Sequence, residues 1–156
     1  MESGWDVKRY IGGAPAVMAN RSQALALIQR RRDLDHPVYG VWAIELASEH
    51  VLVGNLLLKP IPLSAHESPS PPVDVEIGWH LHPEHWGHGY ASEAGYAGLA
   101  QAFDSVLARV LVVTAPGNEA SQKVCRRLGM QHLGRSDAYY NAPHEVYQAQ
   151  RAAWRR

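Results

Sequence analysis

The sequence predicts an α/β (α+β) fold, a mixed sheet with helices on both faces, and three observations lead to it. Segments with strand periodicity precede, separate and follow segments with helical periodicity, so the two kinds of element are interleaved. One helical segment, residues 90–103, is crowded with Ala and Gly, a surface that lies very close to a sheet. A chain of 156 residues, 46% of them hydrophobic, buries one core without disulfides, and neither repeat nor linker divides it, so a single domain over 1–156 is expected.

Asn20, followed by Gln23, is a variant capping box; Leu25, Leu27 and Ile28 then mark one face of a short helix ending near Arg30, Arg31 and Arg32, whose charges suit a helix C-terminus. Two β-rich runs, 39–46 and 51–58, flank the polar connection 47–50 and read as an antiparallel hairpin. Half of the ten prolines, Pro60, Pro62, Pro69, Pro71 and Pro72, crowd the next stretch, which is a surface loop acting as a substrate lid or a tether. Along 73–82 the alternation is unbroken. Val73, Val75, Ile77, Trp79 and Leu81 point one way; Asp74, Glu76, Gly78, His80 and His82 point the other, until Pro83 ends the strand.

Past Gly89 comes the small-residue helix, with Ala91, Gly95, Leu99 and Phe103 four apart. The β-branched run 109–115 suits a strand covered on both faces, stopped by Pro116 and Gly117. Asn118 is an N-cap for a helix with the stripe Ala120, Val124 and Leu128, and Gly129 takes the C′ position. Residues 132–140 and 145–150 read as two closing strands across the turn 141–144. On such a strand the adjacent Tyr139 and Tyr140 face opposite sides.

Fifteen Lys and Arg balance fifteen Asp and Glu, so no global basic field gathers nucleic acid or anionic lipid, and any anion is held locally. No run reaches the length of a membrane span, and Met1 to Asp6 lack the pattern of a secretory leader; a soluble, cytoplasmic protein without nucleic-acid or membrane partners is expected. The lone Cys125 has no disulfide partner and reads as a small buried hydrophobe.

The strongest local signal is the stretch from Leu81 to Ala91, a strand end, a turn with Gly87 and Gly89, and a helix start. Such a turn aims unpaired backbone N–H groups and the positive end of a helix at one point, which suits a phosphate or pyrophosphate. A Rossmann fingerprint fails because Ser92 stands at the third glycine position, and the G-K-[ST] of a P-loop is absent. His80 and His82 have the H-x-H spacing of a ligand pair, with His85 or His88 as a third nitrogen. No H-E-x-x-H accompanies them, however, and no metal is expected.

The blocks Val75-Glu76-Ile77-Gly78-Trp79, Trp86 through Ala94, Asn118-Glu119-Ala120-Ser121 and Arg127-Leu128-Gly129-Met130 together resemble the GNAT superfamily of acetyl-CoA-dependent N-acetyltransferases, and most closely its Rim-type branch, which includes acetyltransferases of ribosomal-protein N-termini. The resemblance runs from about Tyr10 to the C-terminus and implies a central mixed, mostly antiparallel sheet. The family's pyrophosphate motif R/Q-x-x-G-x-G/A maps onto Trp86, Gly89 and Ala91. The resemblance therefore implies that backbone N–H groups from Trp86 through Gly87, His88, Gly89, Tyr90 and Ala91 bind the CoA pyrophosphate. Leu81 and His82 pair with the pantetheine arm, Asn118 corresponds to the family's cofactor-site Asn after the next strand, and Ser121, one turn into that helix, lies near the thioester. The strand that opens family members of this branch is missing before residues 7–15, so either the sheet has an exposed edge, which a homodimer would cover, or the sequence begins late.

Acyl transfer from a thioester needs a neutral amine, so a general base is useful. Glu76 stands on the polar face of its strand at a position the family often uses for a base; the alternative is a solvated carboxylate. Asp74 is roughly 6.6 Å away on the same face, so repulsion between the two would raise one proton affinity. Backbone N–H groups near Leu81 and His82 would stabilise the oxyanion. The resemblance points to a tyrosine after the Asn118 helix as the acid that protonates the thiolate; Tyr140 is preferred over Tyr139, with Ser121 the alternative. Transfer of acetyl from acetyl-CoA to a primary amine by direct attack is thus the expected activity. Its rivals are an acyl-CoA-binding domain without turnover and a histidine-metal hydrolase.

Overall fold

The computed structural model describes residues 20–34, 36–69 and 71–154. In chain order the elements are α1 (Arg21–Arg32), β1 (Gly40–Leu46), β2 (Val51–Pro60), β3 (Val75–Leu81), a 3-10 turn (Pro83–His85), α2 (Tyr90–Asp104), β4 (Arg109–Thr114), α3 (Glu119–Arg127), β5 (Gln131–Ser136) and β6 (His144–Gln150). The strands form one sheet in the order β1-β2-β3-β4-β6-β5. Every neighbouring pair is antiparallel except β3 with β4, so the expected mixed, mostly antiparallel sheet is found.

The alternation read along β3 decides how the sheet is covered. Val75 and Ile77 enter a core with Leu56 and Leu58 of β2, Val110 and Val112 of β4, and Tyr147 and Ala149 of β6. Leu99, Ala102 and Phe103 of α2 and Cys125 of α3 close that core from one side. Each large apolar side chain so buried contributes about 1.5–3 kcal/mol. The small residues of α2 allow the close approach: a Cβ on Gly98 would stand 2.6 Å from Ile77 Cδ1 and 2.8 Å from Leu56 Cδ2.

The parallel pair is short. Its register is confined to Glu76↔Leu111, while β3 stays paired with β2 as far as Leu81↔Gly54 and β4 with β6 as far as Thr114↔Glu145. Beyond Glu76 the sheet therefore opens between β3 and β4, at the carboxyl ends of both strands, and successive strand residues direct their N–H and C=O groups to opposite edges.

Both predicted helix caps are present, with Gln23 N–H donating to Asn20 Oδ1 at 3.0 Å and Ser121 N–H to Asn118 Oδ1 at 3.2 Å. The stripe predicted on α1 is not a buried face: Leu25 and Ile28 stay exposed, and α1 meets the sheet mainly beside its outer strand β1. The expected strand over 132–140 ends at Ser136. Its register shifts between His132 and Gly134, and residues 138–140 pair with the loop after β2 instead, through Ser64 N–H to Ala138 O at 2.8 Å and Tyr140 N–H to Pro62 O at 3.2 Å. The expected absence of a first strand, before residues 7–15, falls outside the described residues. Among those residues, no helix is long and apolar enough to cross a membrane.

Gly98→Val should destabilise the fold by about 1–3 kcal/mol, the range for overpacking a core, measured as a lower urea midpoint with an unchanged m-value.

Candidate active site

Gly87 and Gly89 have φ of +81° and +88°, the left-handed region open to glycine, and among the described residues nothing lies within 4 Å of where a Cβ would stand on either. Gly89 is the N-cap of α2. Among the described residues, none of the backbone N–H groups from Gly87 through Ala91 has a hydrogen-bond acceptor. Ser92 Oγ is buried and likewise without a partner among them. An exposed set of donors at the positive end of a 15-residue helix, beside an unsatisfied hydroxyl, fits a pyrophosphate. Trp86 serves the turn in another way: its indole Nε1–H donates to Leu81 O at 3.0 Å, tying the turn back to the end of β3.

At the opening between β3 and β4, His82 N–H donates to Val53 O at 2.9 Å, on the β2 edge. It is therefore not free for an oxyanion or for pantetheine as the sequence suggested. By alternation, Trp79 and Leu81 direct their backbone groups toward β4, where no ladder meets them.

The polar face of β3 carries two rungs. Glu76, 6% exposed, forms an ion pair with Lys59 at 3.2 Å and accepts a hydrogen bond from the Tyr140 hydroxyl; Lys59 Nζ also donates to Tyr140 Oη at 3.1 Å. Asp74 pairs with Arg109 and accepts from the Tyr139 hydroxyl at 2.7 Å. Each carboxylate thus has its own cation, which offsets the repulsion expected between them. Lys59 and Arg109 carry no signal in the sequence that singles them out. Lys59 stands directly opposite Glu76 in the β2–β3 register, and Arg109 begins β4 beside Asp74.

The two tyrosines do not face opposite sides, because they are not on a strand. Tyr140 and Asn141 have φ of 59° and 54°, and this left-handed turn brings adjacent hydroxyls to one row of carboxylates. Non-glycine residues in that conformation cost roughly 1–3 kcal/mol each, which the surrounding hydrogen bonds must offset. Burial pushes the Tyr139 hydroxyl up to about 12, helped by its bond to Asp74 and that carboxylate's charge. Tyr140 is raised further, by burial first and then by the charge of Glu76 and the bond to it.

The structure brings Glu76 and Tyr140 together, while Ser121 lies in the first turn of α3, bonded through its N–H to Asn118. His80 Nδ1 lies 3.1 Å from Asn55 Oδ1 and His82 Nδ1 3.5 Å from Glu84, and no group of three ligating side chains suited to a metal occurs among the described residues. Cys125 is fully buried and its thiol is pushed up to about 12, chiefly by burial, so it is a core residue.

Known proteins resemble this chain in sequence and fold. The family model described as acetyltransferase (GNAT) domain matches residues 1–131. The chain belongs to the GNAT acetyltransferase family. A Bacillus subtilis relative named as the uncharacterized N-acetyltransferase YoaA is 30% identical over 131 residues, 83% of this chain and 69% of the relative. The FsC-acetyl coenzyme A-N(2)-transacetylase of Aspergillus fumigatus is 30% identical over 108 residues, 69% of this chain; the match spans less than half, 45%, of that relative. The match to the B. subtilis protein YkkB likewise spans 43% of that relative. Among solved structures, a GNAT-family acetyltransferase from Bacillus anthracis superposes with a TM-score of 0.74 at 22% identity, covering 97% of this chain and 85% of that one. This likeness establishes the GNAT fold.

Tyr139→Phe should cost about 1.5–3 kcal/mol at pH 7, the value of a hydrogen bond to a charged group, by urea unfolding. Because the folded Tyr139 hydroxyl is raised to about 12, its contribution is fully present below the unfolded value near 10 and is lost as pH climbs through 12. The variant's stability should therefore fall less steeply than wild type between those pH values.

Proposed function

We propose that this GNAT acetyltransferase uses acetyl-CoA as donor and a primary amine as acceptor. The observation that carries the reading is the row of N–H groups from Gly87 to Ala91, unpaired among the described residues, on the chain that follows the β3 edge opening toward β4. The turn would hold the pyrophosphate, and the β4-facing backbone of Trp79 and Leu81 would pair with the pantetheine arm. Asn118 and Ser121, at the start of α3, would flank the thioester. The name of the A. fumigatus relative, a transacetylase of acetyl coenzyme A, supports the donor. The resemblance of those blocks to the Rim-type branch makes the α-amine of a protein the first acceptor to test and small-molecule amines the second.

Glu76 is the proposed base, because it is a buried carboxylate on the strand that leads into the cofactor turn. An ammonium gives its proton to Glu76 through a water, and the neutral nitrogen attacks the thioester carbonyl. As the C–S bond breaks, the sulfur takes a proton from Tyr140 while Tyr140 takes one from Glu76; the amide nitrogen sheds its remaining extra proton to water. The relay accommodates the raised Tyr140 hydroxyl. That group is too weak an acid to release a proton unaided to a thiolate, whose conjugate acid titrates near 8.5, but it can pass one on as another arrives.

Glu76→Gln should lower kcat by about 10²- to 10⁴-fold with little change in acetyl-CoA affinity, and raising pH should recover much of the rate by supplying neutral amine. The pH–rate profiles of both proteins with one identified acceptor decide it; equal kcat values throughout would remove Glu76 as base. Gly89→Val should fold, since open space surrounds the new side chain, yet lose most acetyl-CoA binding, because a β-branched residue resists a φ of +88° and projects into the space above the turn. Wild-type affinity by calorimetry in the folded variant would overturn the cofactor site.

A further inference from the structure

The start of the proline-rich segment after β2, which the sequence predicts to be a lid or a tether, is docked on residues 137–141, with Ser64 at the centre of the contact. Ser64 is 2% exposed. Its hydroxyl donates to Asp137 O at 2.5 Å and accepts from Asn141 N–H at 2.9 Å. Its own N–H donates to Ala138 O at 2.8 Å, and the neighbouring Ala65 N–H donates to Asn141 Oδ1 at 2.7 Å. Tyr140 N–H reaches Pro62 O at 3.2 Å, and Leu63 forms a bridge with Tyr139. Every residue from Asp137 to Asn141 is thus bonded or bridged to residues 62–65, and the left-handed turn at Tyr140 and Asn141 lies inside that clasp.

From this geometry we infer that Ser64 is a positioning residue for acetyl transfer: its buried hydroxyl holds the 139–141 turn in the conformation that sets the Tyr140 hydroxyl on Glu76. The inference rests on the proposed roles of Glu76 and Tyr140. The Ser64 hydroxyl bonds to the backbone of Asp137 and Asn141, so it acts on the Tyr140 side chain through the turn. Without that hydroxyl, Asn141 N–H loses a buried acceptor and Asp137 O a donor, so the turn has less to hold two non-glycine residues in a strained region. The chain then relaxes toward the extended course that β5 would otherwise follow, in which adjacent tyrosines face opposite sides and only one reaches the carboxylates. The cofactor turn at Gly87 to Ala91 belongs to another segment, so donor binding should stay as it is.

The test is a double-mutant cycle of Ser64→Ala with Tyr140→Phe, reading kcat and the KM for acetyl-CoA, with folding checked by circular dichroism. Ser64→Ala alone should lower kcat by roughly 10- to 100-fold, the scale of a misplaced catalytic group, and leave that KM unchanged. In the Tyr140→Phe background it should lower kcat no further. Additive losses, or an unchanged kcat in folded Ser64→Ala while Tyr140→Phe is impaired, would overturn the positioning role and leave the catalytic reading standing. An unimpaired Tyr140→Phe would overturn the reading of Tyr140 and the inference with it. If Ser64→Ala does not fold, Asn141→Gly serves in its place. It keeps the N–H donated to Ser64 and tolerates the left-handed φ, but drops the bond from Ala65; its smaller loss of kcat should also vanish in the Tyr140→Phe background, and persistence of that loss would overturn the inference.

Discussion

The two-residue alternation of β3 is the constraint on which the rest of the structure depends. Val75 and Ile77 must be buried for the sheet to bind α2, and burying them forces Asp74 and Glu76 onto the opposite face. A carboxylate placed there at 6% exposure is tolerable only when paired, and Lys59, directly across the ladder, and Tyr140 supply the partners. A shift of one residue in the β2–β3 register would move Lys59 off Glu76 and turn the core residues outward together. Fold stability and the arrangement of the groups proposed to react are therefore set by the same pairing.

The end of that strand sets the proposed cofactor turn. Pro83 cannot continue the ladder, the last backbone bond to β2 runs from His82 to Val53, and Trp86 closes the turn by donating to Leu81. From Gly87 to the start of α2 the chain then carries N–H groups that have no acceptor among the described residues. The groups proposed to bind are backbone, so a tryptophan at the first motif position is compatible with the proposed site: its side chain braces the turn, and the free donors belong to the main chain. Beside it, the parallel pairing of β3 and β4 ends at Glu76, so the strand edges past that point are open where the donor's arm would lie.

The sheet, its order of elements, the two caps and the glycine turn were legible in the sequence because each rests on a local rule: period-two alternation, an Asn before a helix, glycines where φ is positive. Glu76 was legible for the same reason. Lys59, which pairs with Glu76, Arg109, which pairs with Asp74, and Ser64, which holds the turn carrying Tyr140, were not, since strand register and a loop docking across more than seventy residues of chain, from Ser64 to Asn141, bring them there. The strand expected over 132–140 failed at Ser136 because Ala138 and Tyr140 found hydrogen-bond partners in the loop after β2, a competition no local pattern records. The same competition put both tyrosines on one side. The apolar residues of α1 misled in the opposite sense: helical spacing is a local property, and whether Leu25 and Ile28 have a surface to cover is not.

If the donor sits on the β3–α2 turn and runs along the opening between β3 and β4, the backbone there must respond to it. Titrating acetyl-CoA into isotopically labelled protein while following backbone amide resonances tests this directly. The amides of Gly87 through Ala91, together with Trp79 and Leu81, should shift or gain protection from exchange, while those of β1 and β5 stay in place. Saturable binding that leaves the amides of the turn unmoved would contradict that placement of the donor.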